Sequence, residues 1–388
     1  MPGHLEKRSK NSWTIVIDTG RDPQTKKRKR IYKSFRGTKR EAEKELAKTL
    51  VEYEQGTYIK PSTITVSEYL LWWLEQHGKA KKLALKTLES YQFLIEKHLI
   101  PEIGAVPLAK LQPIHIHNFV IKENERVSPR TVAYTLTILR QALKHAVKKW
   151  RIISSNPADN VDIPKYQHVK YQVLSIEEAQ ILLKNAKNYS SDYELIYTAI
   201  YTGMRRGELL ALRWEDINFN KKTIKVQRAT QRIVGKGYIT KEPKTTAGKR
   251  IIDIPNSLFM LLKQIKKEQI ENQLKLGSKY QNNDLIFCLQ DGRQLDPSNL
   301  SRRFHHLAVK NDFPNLRFHD LRHTHASLLL ANGEQLHVVQ QRLGHEKPST
   351  TADIYGHVIP GQQQAAAERF DSLFGRQLGG KKKKNKPC

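Results

Sequence analysis

His319-Asp320-Leu321-Arg322-His323-Thr324-His325 brings three imidazoles, a carboxylate and a guanidinium into seven consecutive positions. In a helix, His319 and Arg322 stand at i and i+3, so their side chains point from one face toward one group. A competing reading treats His319-Asp320-x-x-His323 as a variant of the zinc-protease pattern H-E-x-x-H. Two features weigh against it. Asp320 is one methylene shorter than the Glu such a site needs as general base, and Arg322 would set a cation against the metal.

Working outward, three further stretches of the C-terminal half concentrate reactive side chains. Thr202-Gly203-Met204-Arg205-Arg206-Gly207-Glu208-Leu209 places Arg205 at the entry of a helix, where a guanidinium beside backbone N–H groups suits a phosphate. An ordinary surface arginine paired with Glu208 is the plainer alternative. Pro243-Lys244-Thr245-Thr246 reads as a turn between strands. Leu343-Gly344-His345 is followed ten residues later by Tyr355, within Ile354-Tyr355-Gly356-His357.

Around these stretches, 173–375 alternates helices with one small sheet. Helical periodicity covers 195–212, with a break at Gly203, and then 257–276, 297–309, 320–331, 335–343, 349–357 and 362–374. Strand-formers mark 223–226 and 251–254, and 232–241 is expected as a middle strand. Gly333 and Gly344 are placed as helix terminators.

Upstream, 63–161 reads as almost entirely helical. Tyr69, Leu70, Trp73 and Leu74 form one apolar face; Leu88, Tyr91, Leu94 and Ile95 form another, ending near Pro101. A short helix follows over 112–118. Ser128-Pro129 is a good N-cap and N1 pair for the helix that carries Val132, Leu136, Leu139 and Leu143. Arg130, Arg140 and Lys144 are expected on its polar face, and 154–172 as a linker. Residues 1–60 form a separate module of two or three strands and one helix. Between Lys7 and Arg40 it holds thirteen Lys or Arg against two Asp. So one-sided a charge repels itself unless a polyanion offsets it.

The whole chain carries 67 Lys plus Arg against 38 Asp plus Glu, a net charge of +29. A surface of that sign favours nucleic acid, because binding releases the polyanion's condensed counterions. Only two cysteines occur among 388 residues, which implies no disulfide framework and is consistent with a reducing cytosol. Apolar runs such as Leu328-Leu329-Leu330 are too short to cross a bilayer, and charged residues follow Met1-Pro2-Gly3-His4 where a leader would be apolar. No Walker sequence is present, so nucleotide-driven chemistry is not indicated. The lysine-rich run within 376–388 reads as a basic disordered tail.

Taken together, T-G-M-R-R-G-E, P-K-T, H-D-L-R-H-T and L-G-H followed by I-Y-G-H resemble the catalytic signature of the tyrosine recombinases, the integrases of phages and integrative conjugative elements. The resemblance covers nearly the whole chain. It implies a multidomain, mainly α fold: an N-terminal arm-type DNA-binding domain (1–60), a helical, SAM-like core-binding domain (63–161) and an α+β catalytic domain with a small antiparallel sheet (173–375), closing as a C-shaped clamp on duplex DNA. It further implies that Tyr355 attacks the scissile phosphate, giving a 3′-phosphotyrosine and a free 5′-hydroxyl. Arg205 and Arg322 would clamp the non-bridging oxygens, Lys244 would protonate the departing 5′ oxygen, His319 would assist proton transfer at the phenol, and His345 would hydrogen-bond the phosphate. Glu208 would orient Arg205. No cofactor and no metal are needed, because a phosphodiester exchanged for a phosphotyrosine conserves its bond energy. The implied partners are double-stranded DNA at core and arm attachment sites, three further copies of the chain in a homotetramer that works through a Holliday junction, and accessory DNA-bending or excisionase proteins. Residues 362–374 are expected to dock on a neighbouring copy, with packing on their own protomer as the alternative. The setting is the bacterial cytoplasm and the outcome is integration or excision of a mobile element. A type IB topoisomerase and a non-catalytic DNA-binding regulator are the alternatives of other classes; the arm-like module argues against the first, and the Arg/Lys/His/Tyr set against the second.

Overall fold

The computed structural model describes residues 3–21, 28–54, 63–166, 171–243, 246–344 and 346, and in part 367–371. It divides into two compact units, Met1–His168 and Val169–Cys388.

The first unit begins with an antiparallel sheet in the order β1 (Gly3–Ser9), β2 (Ser12–Arg21), β3 (Arg28–Arg36). Ile15, Val16 and Ile17 on the central strand are buried. The helix α1 (Lys39–Glu54) lies against β1 and β2, with Ala42 and Thr49 fully buried. Lys33 Nζ donates to Glu45 Oε1 at 2.6 Å, which ties β3 to the helix. Lys7, Arg8, Arg28, Arg30 and Arg36 stay exposed.

A helical bundle follows, from α2 (Val66–Lys81), α3 (Leu85–Leu94), α4 (Ile100–Ile103), α5 (Pro113–Asn124) and α6 (Pro129–Lys148). Thr65 and Glu68 form a reciprocal cap on α2, and the Ser128 hydroxyl accepts from the Thr131 N–H to start α6. Tyr69, Trp73, Ile95, Leu99, Phe119 and Leu139 fill the core. Two polar anchors fix α2 to α6: the Tyr69 hydroxyl donates to the Ala142 carbonyl at 2.5 Å, and the Trp73 indole N–H donates to His145 Nδ1 at 2.9 Å.

The helix that begins with α3 ends at Ile103, near Pro101 as expected, after a π turn, Ile95–Leu99, that widens the spiral; Pro101, which lacks an N–H to donate, sits in the first turn of α4. Two details depart from expectation. Arg140 is not a solvated polar-face residue. Its Nε donates to the Ala158 carbonyl at 2.9 Å and its Nη2 to that of Val161. For the same reason, the first part of the expected linker is folded: Ala158 and Val161 are buried in the bundle core.

In the second unit, α7 (Ile176–Tyr189), α8 (Tyr193–Thr202) and α9 (Arg206–Leu209) precede an antiparallel sheet of β4 (Ile217–Asn218), β5 (Thr223–Val226) and β8 (Arg250–Asp253), in the order β4-β5-β8. Between β5 and β8 stands a separate hairpin, β6 (Ala229–Ile233) and β7 (Gly237–Lys241). The expected middle strand is therefore wrong. β5 pairs with β8 directly, Val226 opposite Arg250, and 229–241 folds on itself. The hairpin is held instead by Asp296, whose Oδ2 accepts from Arg232 at 2.9 Å and from the Tyr238 hydroxyl at 3.2 Å. The helices α10 (Asn256–Leu276), α11 (Pro297–Lys310), α12 (Asp320–Ala331) and α13 (Leu336–Leu343) complete the unit. Its core gathers Leu195, Leu209, Ile224, Leu262, Phe304 and Leu321 from α8, α9, β5, α10, α11 and α12. The expected fold class holds: mainly helical and multidomain, with small antiparallel sheets in both units.

Candidate active site

Gly203 ends α8 in the left-handed conformation, φ +63°. This turn throws the chain into an extended Arg205, whose carbonyl accepts the first bonds of α9. With only four residues, α9 is too short to offer much of a dipole, so the guanidinium and not the helix end supplies the positive charge here. Arg205 Nη1 donates to Glu208 Oε1 at 2.8 Å, and the Arg205 backbone N–H donates to Glu208 Oε2 at 3.0 Å. Gly207 packs on the hairpin, since a Cβ there would stand 2.7 Å from the Thr230 carbonyl oxygen.

Glu208 is 3% exposed and has a second cation, Arg250, whose Nη2 donates to Oε2 at 2.8 Å. Burial pushes the Glu208 carboxyl up, but Arg250 and Arg205 outweigh it and hold it down at about 2. Arg250 also donates from Nε to the Arg342 carbonyl at 2.7 Å. The next carbonyl, Leu343, accepts from Arg322 Nη2 at 2.6 Å, and Arg322 Nη1 donates to the Gly203 carbonyl at 2.8 Å. Arg322 is 2% exposed, and its two carbonyl bonds fix the plane of its guanidinium.

His319 lies just before α12 and, with Arg205, lines a cavity of about 590 Å³ whose other walls include Arg206, Ser301, His305 and Arg317. His319 is exposed to solvent, yet the protein packed around its ring, then Arg322 and Arg205, lower its basicity and so favour the neutral imidazole. Burial likewise holds His323 down at about 4 and His325 at about 3. His325 is oriented on both sides: Nδ1 bonds the Ile200 carbonyl at 2.8 Å, and Nε2 accepts from Arg342 Nε at 3.1 Å, which requires the neutral Nδ1–H tautomer. His325 thus serves as a brace between α8, α12 and α13. Among the described residues no group of three or more His, Cys, Asp or Glu is arranged to hold a metal ion. No described helix is long and apolar enough to cross a membrane.

Of the six residues the sequence singles out, Arg205, His319 and Arg322 come together: the two guanidiniums share one hydrogen-bonded frame, and both act on the His319 ring. Lys244, His345 and Tyr355 lie outside the described residues, as do the tail 376–388 and most of 349–374. Sequence reading overlooked Arg250. It stands at the head of a short strand with no reactive neighbour, and the one available signal was a charged residue alternating with the apolar Ile252 and Ile254 on a strand that must be half buried.

A cavity lined by arginines and histidines, on a mainly helical unit of a chain rich in Lys and Arg, defines a phosphate-handling site of a nucleic-acid enzyme. Known proteins narrow this. The phage integrase family model matches residues 172–361, and that of the phage integrase N-terminal SAM-like domain matches 65–124. A tyrosine recombinase XerC-like protein of Caldanaerobacter subterraneus subsp. tengcongensis is 30% identical, over 95% of this chain and 98% of its own. The ICEBs1 integrase of Bacillus subtilis is 27% identical, over 95% of this chain and 100% of its own. Among solved structures, the Tn1549 transposon integrase in complex with transposon right end DNA superposes with a TM-score of 0.66 at 20% identity, covering 79% of this chain and 99% of its own. A lambda integrase tetramer bound to a Holliday junction gives 0.57 at 18% identity, covering 92% of this chain and 96% of its own. The chain belongs to the phage integrase family of tyrosine recombinases, and it is a tyrosine-type site-specific DNA recombinase.

Proposed function

We propose that this recombinase integrates and excises a mobile element by cutting each DNA strand with Tyr355, and that Arg205, Lys244, His319, Arg322 and His345 serve that step. The observation that carries the reading is the hydrogen-bonded frame of Arg205 and Arg322 beside His319, whose basicity that frame lowers. Tyr has a solution pKa near 10, so its phenol attacks poorly unless its proton is taken and the phosphate charge is offset. The phenol oxygen bonds to phosphorus while its proton passes to neutral His319. The bond to the 5′ oxygen breaks, and that oxygen takes a proton from Lys244. Arg205 and Arg322 offset charge on the non-bridging oxygens of the pentacoordinate transition state, a duty that suits a permanently charged planar fork. His345 donates a further hydrogen bond. Reversal with a different 5′-hydroxyl reseals the strand without a cofactor.

The division into an arm-type domain (1–60), a core-binding domain (63–161) and a catalytic domain (173–375) is part of the same proposal. So is assembly of four protomers on two duplexes through a Holliday junction, with residues 362–374 docked on a neighbour and with accessory bending or excisionase proteins setting direction. The DNA complexes solved for the Tn1549 and lambda integrases support this assembly. The bacterial cytoplasm is the compartment it requires.

The test incubates the protein with a nicked cognate duplex in EDTA. Wild type forms a covalent adduct. Tyr355→Phe forms none, and Lys244→Ala forms it slowly unless the scissile 5′ oxygen is replaced by sulfur, a better leaving group. An adduct retained by Tyr355→Phe, or one abolished by EDTA, contradicts the reading.

A further inference from the structure

The two arginines proposed to clamp the phosphate lie on one closed circuit. Arg205 bonds Glu208; Glu208 bonds Arg250; Arg250 bonds the Arg342 carbonyl; the adjoining Leu343 carbonyl bonds Arg322; and Arg322 bonds the Gly203 carbonyl, two residues before Arg205. Four elements meet on it: the α8–α9 turn, β8, α12 and the end of α13. Arg250 is the member that spans the gap. Its guanidinium joins Glu208 directly to the α13 terminus. Its own placement leaves little freedom: its side chain is 5% exposed, Nη1 reaches the Gly248 carbonyl at 3.3 Å, and a Cβ on Gly344 would lie 3.0 Å from Arg250 Cδ.

Glu208 alone does not determine where Arg205 points, because a carboxylate between two guanidiniums goes where both hold it. A buried arginine costs desolvation that an apolar side chain of equal volume would avoid. Its presence among backbone carbonyls is therefore better explained by registration than by stability. We infer that Arg250 is a positioning residue for strand cleavage: by fixing Glu208 against the end of α13, it sets Arg205 in register with Arg322. It touches neither substrate nor the reacting atoms. This rests on the roles proposed above for Arg205 and Arg322.

The test compares Arg250→Lys, which keeps the charge but cannot reach both acceptors in one geometry, with wild type and with Arg205→Ala. Each cleaves two nicked duplexes, one with an ordinary scissile phosphate and one with a methylphosphonate, in which a methyl group replaces a charged oxygen. If register is the role, Arg250→Lys binds DNA with unchanged affinity and cleaves the ordinary phosphate about tenfold or more slowly, since misplacement of a clamp by an ångström is enough for that loss. On the methylphosphonate, where little charge remains to be clamped, its defect and that of Arg205→Ala both shrink. Wild-type cleavage by Arg250→Lys overturns the inference, and so does an equal defect on both substrates, which is the signature of a merely weakened fold. If Arg205→Ala is relieved and Arg250→Lys is not, only the role of Arg250 falls. If Arg205→Ala is not relieved, the reading of Arg205 as a charge clamp falls and takes this inference with it. Should Arg250→Lys fold poorly, the neutral pair Arg250→Met with Glu208→Gln removes the bridge without stranding a buried charge, and the same outcomes apply.

Discussion

Replacing Gly203 with Ala probes the frame at its tightest point. The residue has φ +63°, a conformation that costs an L-residue about 1–2 kcal/mol. The new methyl would stand 2.6 Å from His325 Cδ2 and 2.8 Å from Leu343 Cδ2. Neither neighbour yields easily, because His325 is hydrogen-bonded through both ring nitrogens and Leu343 is fully buried. Overpacking of this kind costs about 1–3 kcal/mol. The two effects together predict a loss of about 2–5 kcal/mol, read as a lowered urea midpoint and a melting temperature roughly 5–15 °C lower. Catalysis should suffer beyond stability, because the Gly203 and Leu343 carbonyls both accept from Arg322. At a temperature where the variant stays folded, single-turnover cleavage of a nicked duplex should fall by about tenfold or more. A variant that melts within about 1 kcal/mol of wild type and cleaves at its rate would refute the claim that this turn is sterically closed and sets Arg322.

Further perturbations address other parts of the account. Glu208→Gln keeps the shape but removes the buried charge between Arg205 and Arg250; stability should fall by about 3 kcal/mol in chemical denaturation, with cleavage reduced more than DNA affinity. His323 and His325 titrate in the folded chain near 4 and near 3, below the unfolded value of about 6.5. The unfolded state therefore binds more protons in that window, so their contribution is complete above about pH 6.5 and declines as pH falls toward 4, by up to about 1.4 kcal/mol per pH unit for each. Urea titrations at pH 7.5 and 5.0 should show this loss, and His325→Gln should flatten it; an unchanged slope removes His325 from the explanation. Removing residues 1–62 should abolish binding to arm-type sites and make the log–log salt dependence of DNA affinity less steep, while cleavage of a core-site duplex persists. A truncated chain with an unaltered salt slope would contradict a DNA role for the basic N-terminal sheet.

Much of this was legible from the chain itself, for identifiable reasons. The bundle helices announce themselves through Tyr69, Trp73, Leu136 and Leu143, because one buried face at 3.6-residue spacing is a local property. The α8–α9 break is local too, since Gly203 can adopt a positive φ without penalty. His319 with Arg322 follows from their spacing, and Arg205 from its turn. What escaped depends on contacts distant in sequence. The hairpin 229–241, which folds on itself, is tied down by Asp296, some sixty residues on. Arg140 looked solvated because its acceptors, the carbonyls of Ala158 and Val161, belong to a segment without periodicity. Arg250 gave only strand alternation, and its meaning lies in Glu208 and Arg342, neither of them near in sequence.

The most direct measurement maps the covalent bond itself. A nicked cognate duplex is trapped with the full chain, the DNA is trimmed with nuclease, and the protein is digested and sequenced by mass spectrometry. The account predicts a single nucleotide-bearing peptide, modified on the phenol of Tyr355 through a 3′-phosphate. A nucleotide on any other side chain, or the trapped strand linked through its 5′ end, would contradict it.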